Sequence, residues 1–291
     1  MRLAIHGRGF SAQTEPYIRQ VLDIVRSKGS EVMLSDEFVS QNSASGIDFS
    51  GYRTFTKHQS EIDADTFISL GGDGTLLETL LYVNDKETPI MGINTGRLGF
   101  MATISKQDIP AALDCLYQNE YQLEERVLIH LESNQSLFDG FNFALNEFAI
   151  IKKDSSSMVN VHCFINGQFL NSYWADGLIV STPTGSTGYS LSCGGPIMFP
   201  EQENFIITPI SPHNLNVRPL IVSADVDISF KIESRNRNFL ISLDSRSVTV
   251  DNQVKLSLKK EKFKAKLVNL ANYNFPDTLR KKLNWGLDLR N

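Results

Sequence analysis

The chain has 291 residues, 41% of them hydrophobic and 21% charged, which is typical of a globular protein large enough for two domains. A formal net charge of -5 and the lack of a basic block argue against a general nucleic-acid binder. No apolar run is long enough to span a membrane or to form a signal peptide. The three cysteines are isolated, form no metal-ligand pattern and fit a reducing compartment. We therefore expect a cytoplasmic protein without nucleic-acid or membrane partners.

The first third of the chain alternates predicted strands with predicted helices. The hydrophobic pattern predicts strands at residues 2–6, 31–34, 66–70 and 89–93, helices at 16–28, 75–83 and 106–118, and a polar loop at 41–50. Alternation of this kind predicts a parallel sheet with helices on its faces, a Rossmann-like α/β domain. Ligands of such sheets bind at the carboxyl ends of the strands.

The rest of the chain is rich in short alternating segments. They predict strands at residues 122–132, 141–152, 160–165, 168–174, 205–209, 220–222, 226–233, 238–243, 248–250 and 255–267. Asn166-Gly167 is a strong hairpin signal. We expect a β-rich, β-sandwich-like second domain, followed by a helical tail at 276–283 that packs back on the first domain. The predicted domains are therefore residues 1–105 and 106–272, with the tail at 273–291.

The most informative stretch is Gly71-Gly72-Asp73-Gly74-Thr75, between a predicted strand and a predicted helix. Glycines let the backbone approach a bound group, and a helix N-terminus attracts phosphate. The carboxylate of Asp73 would repel a bare phosphate, so it indicates contact with a hydroxyl or a metal-bound nucleotide. A phosphate cradle with a built-in acid favours phosphoryl transfer to a hydroxyl. The alternative is a tight turn in which Asp73 only caps the helix.

A second cluster of glycines and hydroxyl residues spans residues 181–190 and 193–196, after an apolar run. Serine and threonine hydroxyls can donate to phosphate or ribose, and Tyr189 can stack on a base. Two acidic pairs, Asn146-Glu147 and Asp176-Gly177, could read ribose hydroxyls or an adenine edge. Taken alone, the cluster could be a ligand-free loop and each pair a turn or a surface face.

A third pattern, Gly7-Arg8-Gly9-Phe10-Ser11-Ala12, matches the dinucleotide-binding G-x-G-x-x-A sequence, and Asp36 lies near the end of the second predicted strand. It supports an alternative function, a nicotinamide-dependent oxidoreductase. Against it, the helix begins several residues late and Arg8 crowds the turn. The P-loop pattern and the protein-kinase motifs are both missing, which excludes those two classes.

Four segments, in order, resemble motifs of the NAD kinase family: residues 71–75, 94–100, 146–147 and 175–197. The glycine-aspartate motif also occurs in lipid kinases, whereas the last stretch is more specific to NAD kinases. The resemblance implies an enzyme that uses ATP and a divalent metal cation, Mg²⁺, to phosphorylate the 2′-hydroxyl of the adenosine ribose of NAD, giving NADP. It also implies the two-domain fold expected above and assembly as a homodimer or homotetramer.

The resemblance assigns Asp73 as the catalytic carboxylate, which accepts the proton of the 2′-hydroxyl or orients that hydroxyl. The residues implied for NAD binding are Gly74, Leu77, Phe100, Asn146, Glu147, Asp176, Thr187, Gly188, Tyr189, Ser192 and Gln253. Within this set, Asp176 would reach the nicotinamide end of a neighbouring subunit's ligand. No residue is assigned as a metal ligand, because Mg²⁺ can be held mainly by the nucleotide phosphates.

Three positions depart from the family pattern. Trp174 stands where the family often has a basic residue, which leaves open whether NADH is also accepted. Gly188 replaces a common alanine, and Asn252 replaces a glycine at a turn that asparagine tolerates. The donor range, ATP alone or also polyphosphate, stays open. So do three other functions: a lipid kinase, a nucleotide-binding sensor without catalysis, and the oxidoreductase.

Overall fold

The computed structural model describes residues 1–59, 62–96, 99–153, 158–234, 238–270 and 274–286. The chain forms two compact units: the first comprises Met1–Glu125 and Ala265–Asn291, and the second comprises Arg126–Lys264. No helix within the described residues is both long and apolar enough to cross a membrane.

Within these residues, the helices are α1 (Glu15–Ser27), α2 (Asp36–Gln41), α3 (Asp73–Val83), α4 (Ile109–Gln118), α5 (Tyr189–Ser192) and α6 (Phe275–Leu283). Short 3₁₀ turns occur at Asn84–Lys86, Phe138–Gly140 and Thr184–Thr187. The strands, in chain order, are β1 (Arg2–Gly7), β2 (Glu31–Ser35), β3 (Arg53–Phe55), β4 (Thr66–Gly71), β5 (Ile90–Asn94), β6 (Ile104–Ser105), β7 (Tyr121–Arg126), β8 (Ile129–Ser133), β9 (Phe143–Ala144), β10 (Glu147–Lys152), β11 (Val159–Ile165), β12 (Gln168–Ala175), β13 (Gly177–Ser181), β14 (Asn204–Ile210), β15 (Leu220–Ser223), β16 (Ile228–Glu233), β17 (Asn238–Leu243), β18 (Arg246–Asp251), β19 (Leu256–Lys260) and β20 (Ala265–Leu270).

The first unit is built on one sheet with strand order β3-β2-β1-β4-β5-β20-β7, and β6 pairs with β5. β1 runs parallel to β2 and β4, and β5 runs parallel to β4, β6 and β20. The apolar face of α1 buries Ile18, Val21, Leu22 and Val25 against this sheet's core. Parallel strands end at a common edge, so the turn after β4 and the turn after β5 meet there.

The second unit is a sandwich of two antiparallel sheets, with orders β15-β14-β13-β10-β17-β18 and β12-β11-β16-β19-β8-β9. Their facing side chains share one hydrophobic core, in which the rings of Phe148 and Phe230 stack with centroids 5.7 Å apart. The opposite face of the first of these sheets packs Ala149, Ile179 and Ile210 against Cys193. The predicted fold class, an α/β domain with a β-sandwich-like domain, is confirmed.

The division into units differs from the predicted boundaries at residues 105 and 272. The predicted strand at 122–132 is two strands, β7 in the first sheet and β8 in the sandwich, and the predicted strand at 255–267 is likewise β19 and β20. The chain therefore changes unit inside each of two apolar alternating runs. Alternation reveals a strand but not which sheet it joins, so this crossing is not visible in the pattern.

The tail helix α6 belongs to the first unit, where its Phe275 ring lies 6.5 Å from the ring of Phe100. The helix α2 begins before the predicted polar loop at 41–50 and ends at its first residue. Ser35 caps α2, because its side chain accepts the backbone N–H of Phe38.

Glu78 on α3 forms the main charged contact at the end of β1. Its Oε2 accepts a hydrogen bond of 2.8 Å from Arg8 Nε and lies 3.6 Å from Nε2 of the fully buried His6. Burial raises the pKa of Glu78, but the contacts with His6 and Arg8 outweigh it, and the pKa falls from 4.5 to about 2. The ionised carboxylate therefore stabilises the folded first unit.

We expect Glu78→Gln to destabilise the first unit by about 2 kcal/mol at neutral pH. Since the folded pKa lies below the ordinary value, this contribution is complete above about pH 5 and is lost as the pH falls toward 2. The measurement is urea unfolding of both proteins across that range, followed by hydrogen exchange at the amides of β1 and β4.

The matched control is Glu31→Gln, which removes an ion pair of 3.1 Å with Arg53 between two exposed side chains. It should cost less than about 0.5 kcal/mol at any pH. A Glu78→Gln penalty that persists unchanged at pH 3 would contradict the charge-based account.

Candidate functional site

Asp73 is the first residue of α3, two residues beyond the end of β4. Its Oδ2 accepts the backbone N–H of Phe100 at 2.8 Å, and its Oδ1 accepts those of Met101 at 3.0 Å and Ala102 at 2.9 Å. A carboxylate offers about four acceptor positions, so the bonds from described residues leave one, on Oδ2. The carboxylate is therefore held in one orientation with a single free lone pair.

The segment that binds Asp73 is itself fixed at the carboxyl end of β5. The buried Asn94 accepts the backbone N–H of Gly96 at 2.8 Å and donates to the carbonyl oxygen of Ala102 at 3.4 Å. A side chain at Gly99 would overlap the Asp73 carboxylate, so only glycine fits there. The residues between, 97 and 98 of the predicted 94–100 motif, lie outside the described residues.

The glycines of the 71–75 motif fall into two kinds. A Cβ at Gly71 would overlap the Thr75 side chain, so this glycine is required by packing. A Cβ at Gly72 or Gly74 would meet no heavy atom of the described residues within 4 Å. These two glycines therefore border open space beside the N-terminus of α3, where backbone N–H groups and the helix dipole favour an anion.

Leu77 lies on α3 one turn after Asp73 and Gly74, and its side chain is half-buried. Phe100 contacts Asp73 through its backbone N–H, and the amine of Lys282 lies 5.9 Å from the centre of its ring. The first unit thus brings together four of the predicted site residues: Asp73, Gly74, Leu77 and Phe100.

In the second unit, Asn146 and Glu147 lie at the start of β10, and a residue that the sequence analysis missed holds them. The Asp244 carboxylate accepts the backbone N–H groups of Leu145 at 2.9 Å, Asn146 at 2.7 Å and Glu147 at 3.1 Å. Asp244 forms the turn between β17 and β18 with φ of 52°, a left-handed conformation that Asp tolerates. The only sequence signal was an acid between two predicted strands, which is common in hairpins.

Glu147 carries an unusual carboxyl group. Its Oε2 is buried and has no hydrogen-bond partner within the described residues. Burial and, next, the negative charge of Asp244 together raise the pKa of Glu147 from 4.5 to about 8, although a hydrogen bond from the Tyr189 backbone opposes the rise. At neutral pH the group is therefore mostly protonated and can donate a hydrogen bond, as an ionised carboxylate cannot.

The loop after β13 packs directly on the Asn146-Glu147 segment. The backbone N–H of Thr182 donates to the Asn146 carbonyl at 2.9 Å, and its hydroxyl donates to the carbonyl of Leu145. A Cβ at Gly185 would overlap the Asn146 carbonyl, and one at Gly188 would lie 3.1 Å from Glu147 Oε2. Glycine at these positions allows the loop to approach this closely.

Thr187, Gly188 and Tyr189 continue this loop into α5. The Thr187 hydroxyl donates to the Thr184 carbonyl at 3.2 Å, Tyr189 is 40% exposed, and Ser192 at the end of α5 is exposed. The pKa of Tyr189 is raised by burial and then by the charges of Cys193, Asp176 and Glu147. The second unit thus brings together Asn146, Glu147, Thr187, Gly188 and Tyr189, with Ser192 at their edge.

Two predicted binding residues lie elsewhere in this unit. Asp176 precedes β13 and pairs with Lys152 at 2.6 Å, at the opposite end of the five-residue strand from Glu147, about 16 Å away. Gln253 is exposed and follows β18 toward that same end, with its backbone N–H bound to Asp251 at 2.9 Å. His213 stacks on Trp174 with ring centroids 4.5 Å apart.

The dinucleotide-like pattern at residues 7–12 does not form an open phosphate cradle. The backbone N–H of Gly9 donates to Gln41 at 2.7 Å and that of Phe10 to Asn42 at 2.9 Å. The Arg8 side chain turns to Glu78. α1 begins at Glu15, so the helix N-terminus is not next to the glycines. The amides that a pyrophosphate would need are therefore already bound to side chains.

Within the described ranges, no group of three or more His, Cys, Asp or Glu side chains is placed to hold a metal ion. Cys115, Cys163 and Cys193 are all free thiols.

Both halves of the chain match family models. Residues 11–121 match the ATP-NAD kinase N-terminal domain, and residues 145–270 match the ATP-NAD kinase C-terminal domain. The NAD kinase of Cytophaga hutchinsonii is 54% identical over 292 residues and that of Flavobacterium johnsoniae 41% over 294 residues, each over 100% of both chains.

Solved structures agree in fold. The yeast NADH kinase complexed with NADH gives a TM-score of 0.87 at 22% identity, covering 100% of this chain and 89% of that one. An NAD kinase from Archaeoglobus fulgidus in complex with ATP gives 0.73 at 26% identity, covering 98% and 99%. The family resemblance of the four sequence motifs is confirmed: this chain belongs to the ATP-NAD kinase family.

Proposed function

We propose that this protein is a phosphotransferase that moves the γ-phosphate of ATP to the 2′-hydroxyl of the adenosine ribose of NAD, giving NADP. The observation that carries the proposal is the Asp73 carboxylate, held by three backbone N–H groups beside two glycines that border open space. Phosphates suit the helix N-terminus, and a hydroxyl suits the one free lone pair of Asp73. That pairing is what transfer from a nucleotide to a sugar hydroxyl requires.

In this proposal, Asp73 orients the 2′-hydroxyl toward the γ-phosphate and accepts its proton as the bond forms. Its rigid attachment to residues 100–102 matters because most of the rate in phosphoryl transfer comes from positioning and charge neutralisation. A divalent cation such as Mg²⁺, held mainly by the nucleotide phosphates, would neutralise charge on the transferring group. Gly74, Leu77 and Phe100 would line the NAD site on the first unit.

On the second unit, Asn146 and Glu147 would bind the ribose hydroxyls or the adenine. Thr187, Gly188, Tyr189 and Ser192 would hold the adenosine, with the half-exposed Tyr189 ring available for stacking. The separation of Asp176 from Glu147 supports a role for Asp176 at the nicotinamide end, on a neighbouring subunit's ligand in a homodimer or homotetramer. Gln253, toward that same end, would join it. The small-molecule partners would be NAD and ATP, and the protein would act in the cytoplasm.

The decisive experiment incubates the purified protein with NAD, ATP and Mg²⁺ and detects NADP with an NADP-specific dehydrogenase. We expect product only when all three reagents are present, and Asp73→Asn should lower kcat about 100-fold or more while NAD binding persists. Asp108→Asn is the matched control, because Asp108 also lies at a helix N-terminus, directly before α4, and its carboxylate accepts a hydrogen bond from the Ser105 hydroxyl. Parallel assays replace ATP with polyphosphate and NAD with NADH.

Other results would select other functions. Normal turnover by Asp73→Asn would remove the role given to Asp73. NAD binding without product from any donor would indicate a sensor. Turnover of diacylglycerol or sphingosine vesicles, with none of NAD, would indicate a lipid kinase, and a change in nicotinamide absorbance with a small substrate would indicate an oxidoreductase.

The open space beside Gly74 gives a second prediction. Gly74→Ala should keep the fold and even stabilise α3 by up to about 1 kcal/mol, because alanine favours helix and the methyl group meets no protein atom. If ligand occupies that space, the KM for NAD or ATP should rise at least about fivefold. Gly51→Ala, also with no heavy atom within 4 Å, is the control for a harmless methyl group. Unchanged KM values would place the ligand elsewhere.

The protonated Glu147 gives a third prediction. Since the pKa of Glu147 is about 8, the KM for NAD should rise as the pH passes 8, when the group loses its donor. Glu147→Gln, whose amide still donates, should show a flat KM between about pH 7 and pH 9.5. Glu132→Gln, which alters an exposed side chain of β8, should retain the wild-type profile. Identical profiles for wild type and Glu147→Gln would refute the role of this proton.

A further inference from the structure

Asp244 makes contacts that a turn residue does not need. Elsewhere in the chain, turn aspartates bind the amide two residues on, as Asp48 binds Ser50 and Asp251 binds Gln253, both at 2.9 Å. The Asp244 carboxylate instead binds three successive amides that lie 97 to 99 residues away in sequence. Its own backbone N–H donates to the Glu147 carbonyl at 2.9 Å. The segment 145–147 is therefore tied to Asp244 by four hydrogen bonds.

The same segment is held from its other side by Thr182, through the carbonyls of Leu145 and Asn146. Asp244 thus accepts hydrogen bonds from the N–H groups of this segment, and Thr182 donates hydrogen bonds to its carbonyl groups. The backbone of the segment therefore has little freedom. The side chains of Asn146 and Glu147 take their direction from that backbone. Their geometry is set by Asp244 on one side and by the loop of residues 182–189 on the other.

An ionised carboxylate at residue 244 also carries a free-energy cost. Burial raises the pKa of Asp244, and only the three amides and the nearby Arg246 oppose that rise. Arg246 is turned away to the Phe141 and Phe143 carbonyls. The negative charge of Asp244 also acts on Glu147, the other half-buried carboxyl group here. Two carboxyl groups this close repel each other when both are ionised, and a neutral turn residue would avoid that repulsion.

We propose that Asp244 is a positioning residue for nucleotide recognition: its carboxylate fixes the backbone of Leu145, Asn146 and Glu147 so that the Asn146 and Glu147 side chains present their polar atoms to NAD. This inference rests on the proposed function for the identity of the ligand. In this proposal Asp244 itself touches no substrate, and the titratable residues that act on Glu147 include Asp244 and, on α5, Tyr189.

Two variants separate the hydrogen bonds from the charge. In Asp244→Asn, the remaining oxygen can still accept the Asn146 and Glu147 amides, which both bind Oδ1, but the new NH₂ group faces the Leu145 amide. Asp244→Ala loses all three bonds. Both variants remove the negative charge. Asp48→Asn, which alters a turn aspartate in an exposed loop, is the matched control.

Three readouts are measured on the full chain. Amide hydrogen exchange should quicken at Leu145 in Asp244→Asn and at all three amides in Asp244→Ala. The KM for NAD should rise about tenfold in Asp244→Ala and less in Asp244→Asn, with the KM for ATP within about twofold of wild type. The ¹³C titration of the Glu147 carboxyl should move to lower pH equally in both variants, because both lose the like charge.

The outcomes decide the inference. A folded Asp244→Ala or Asp244→Asn with unchanged exchange at residues 145–147 and unchanged KM for NAD overturns it. The inference is also overturned if the KM for NAD and the KM for ATP rise by the same factor while the melting temperature falls. That result would indicate a purely structural role. If the wild-type protein forms no NADP, the proposed function fails, but exchange and the Glu147 titration still test the positioning by Asp244.

Discussion

The same interaction occurs once in each unit: a carboxylate accepts three successive backbone N–H groups from a segment distant in sequence. Asp73 binds the amides of residues 100–102, and Asp244 binds those of residues 145–147. Such bonds to an ionised group are stronger than ordinary hydrogen bonds, and together they fix both partners. In the first unit the rigid element is the carboxylate proposed to meet the substrate. In the second it is the backbone that carries the recognising side chains.

In each unit, a glycine allows a loop to pack closely on the residues of this arrangement. Gly99 lets its loop pass over the Asp73 carboxylate, and Gly185 lets the second loop close on the Asn146 carbonyl, where any side chain would overlap. Gly72 and Gly74 are different, because no protein atom fills the space beside them. Packing against neighbouring atoms explains why Gly99 and Gly185 are glycines. It does not explain Gly72 and Gly74, so these two are the better marker of a ligand. A motif rich in glycine thus contains residues kept for two separate physical reasons.

The sequence was informative where structure is local and poor where it is not. The strand, the glycine turn and the helix around Asp73 follow from hydrophobic periodicity and turn chemistry within a few residues, and so did the fold class. Asp244 could not be identified, because its role depends on amides nearly a hundred residues earlier and its local signal is that of any hairpin. The crossings from β7 to β8 and from β19 to β20 were missed for the same reason. The placement of Asp176 and Gln253 away from Glu147 depends on sheet order, which no local pattern contains.

The two carboxyl groups of the proposed site, those of Asp73 and Glu147, have different surroundings, and these suit two different tasks. Three backbone N–H groups hold the Asp73 carboxylate in one orientation, which suits the task of orienting a hydroxyl. Glu147 is half-buried, its Oε2 has no hydrogen-bond partner within the described residues, and it faces the charge of Asp244, so at neutral pH it mostly keeps its proton and can donate. Gly188 stands beside it where the family often has alanine, and a methyl group there would lie 3.1 Å from Oε2. We expect this glycine to leave that face of the Glu147 carboxyl accessible to an acceptor on the proposed ligand.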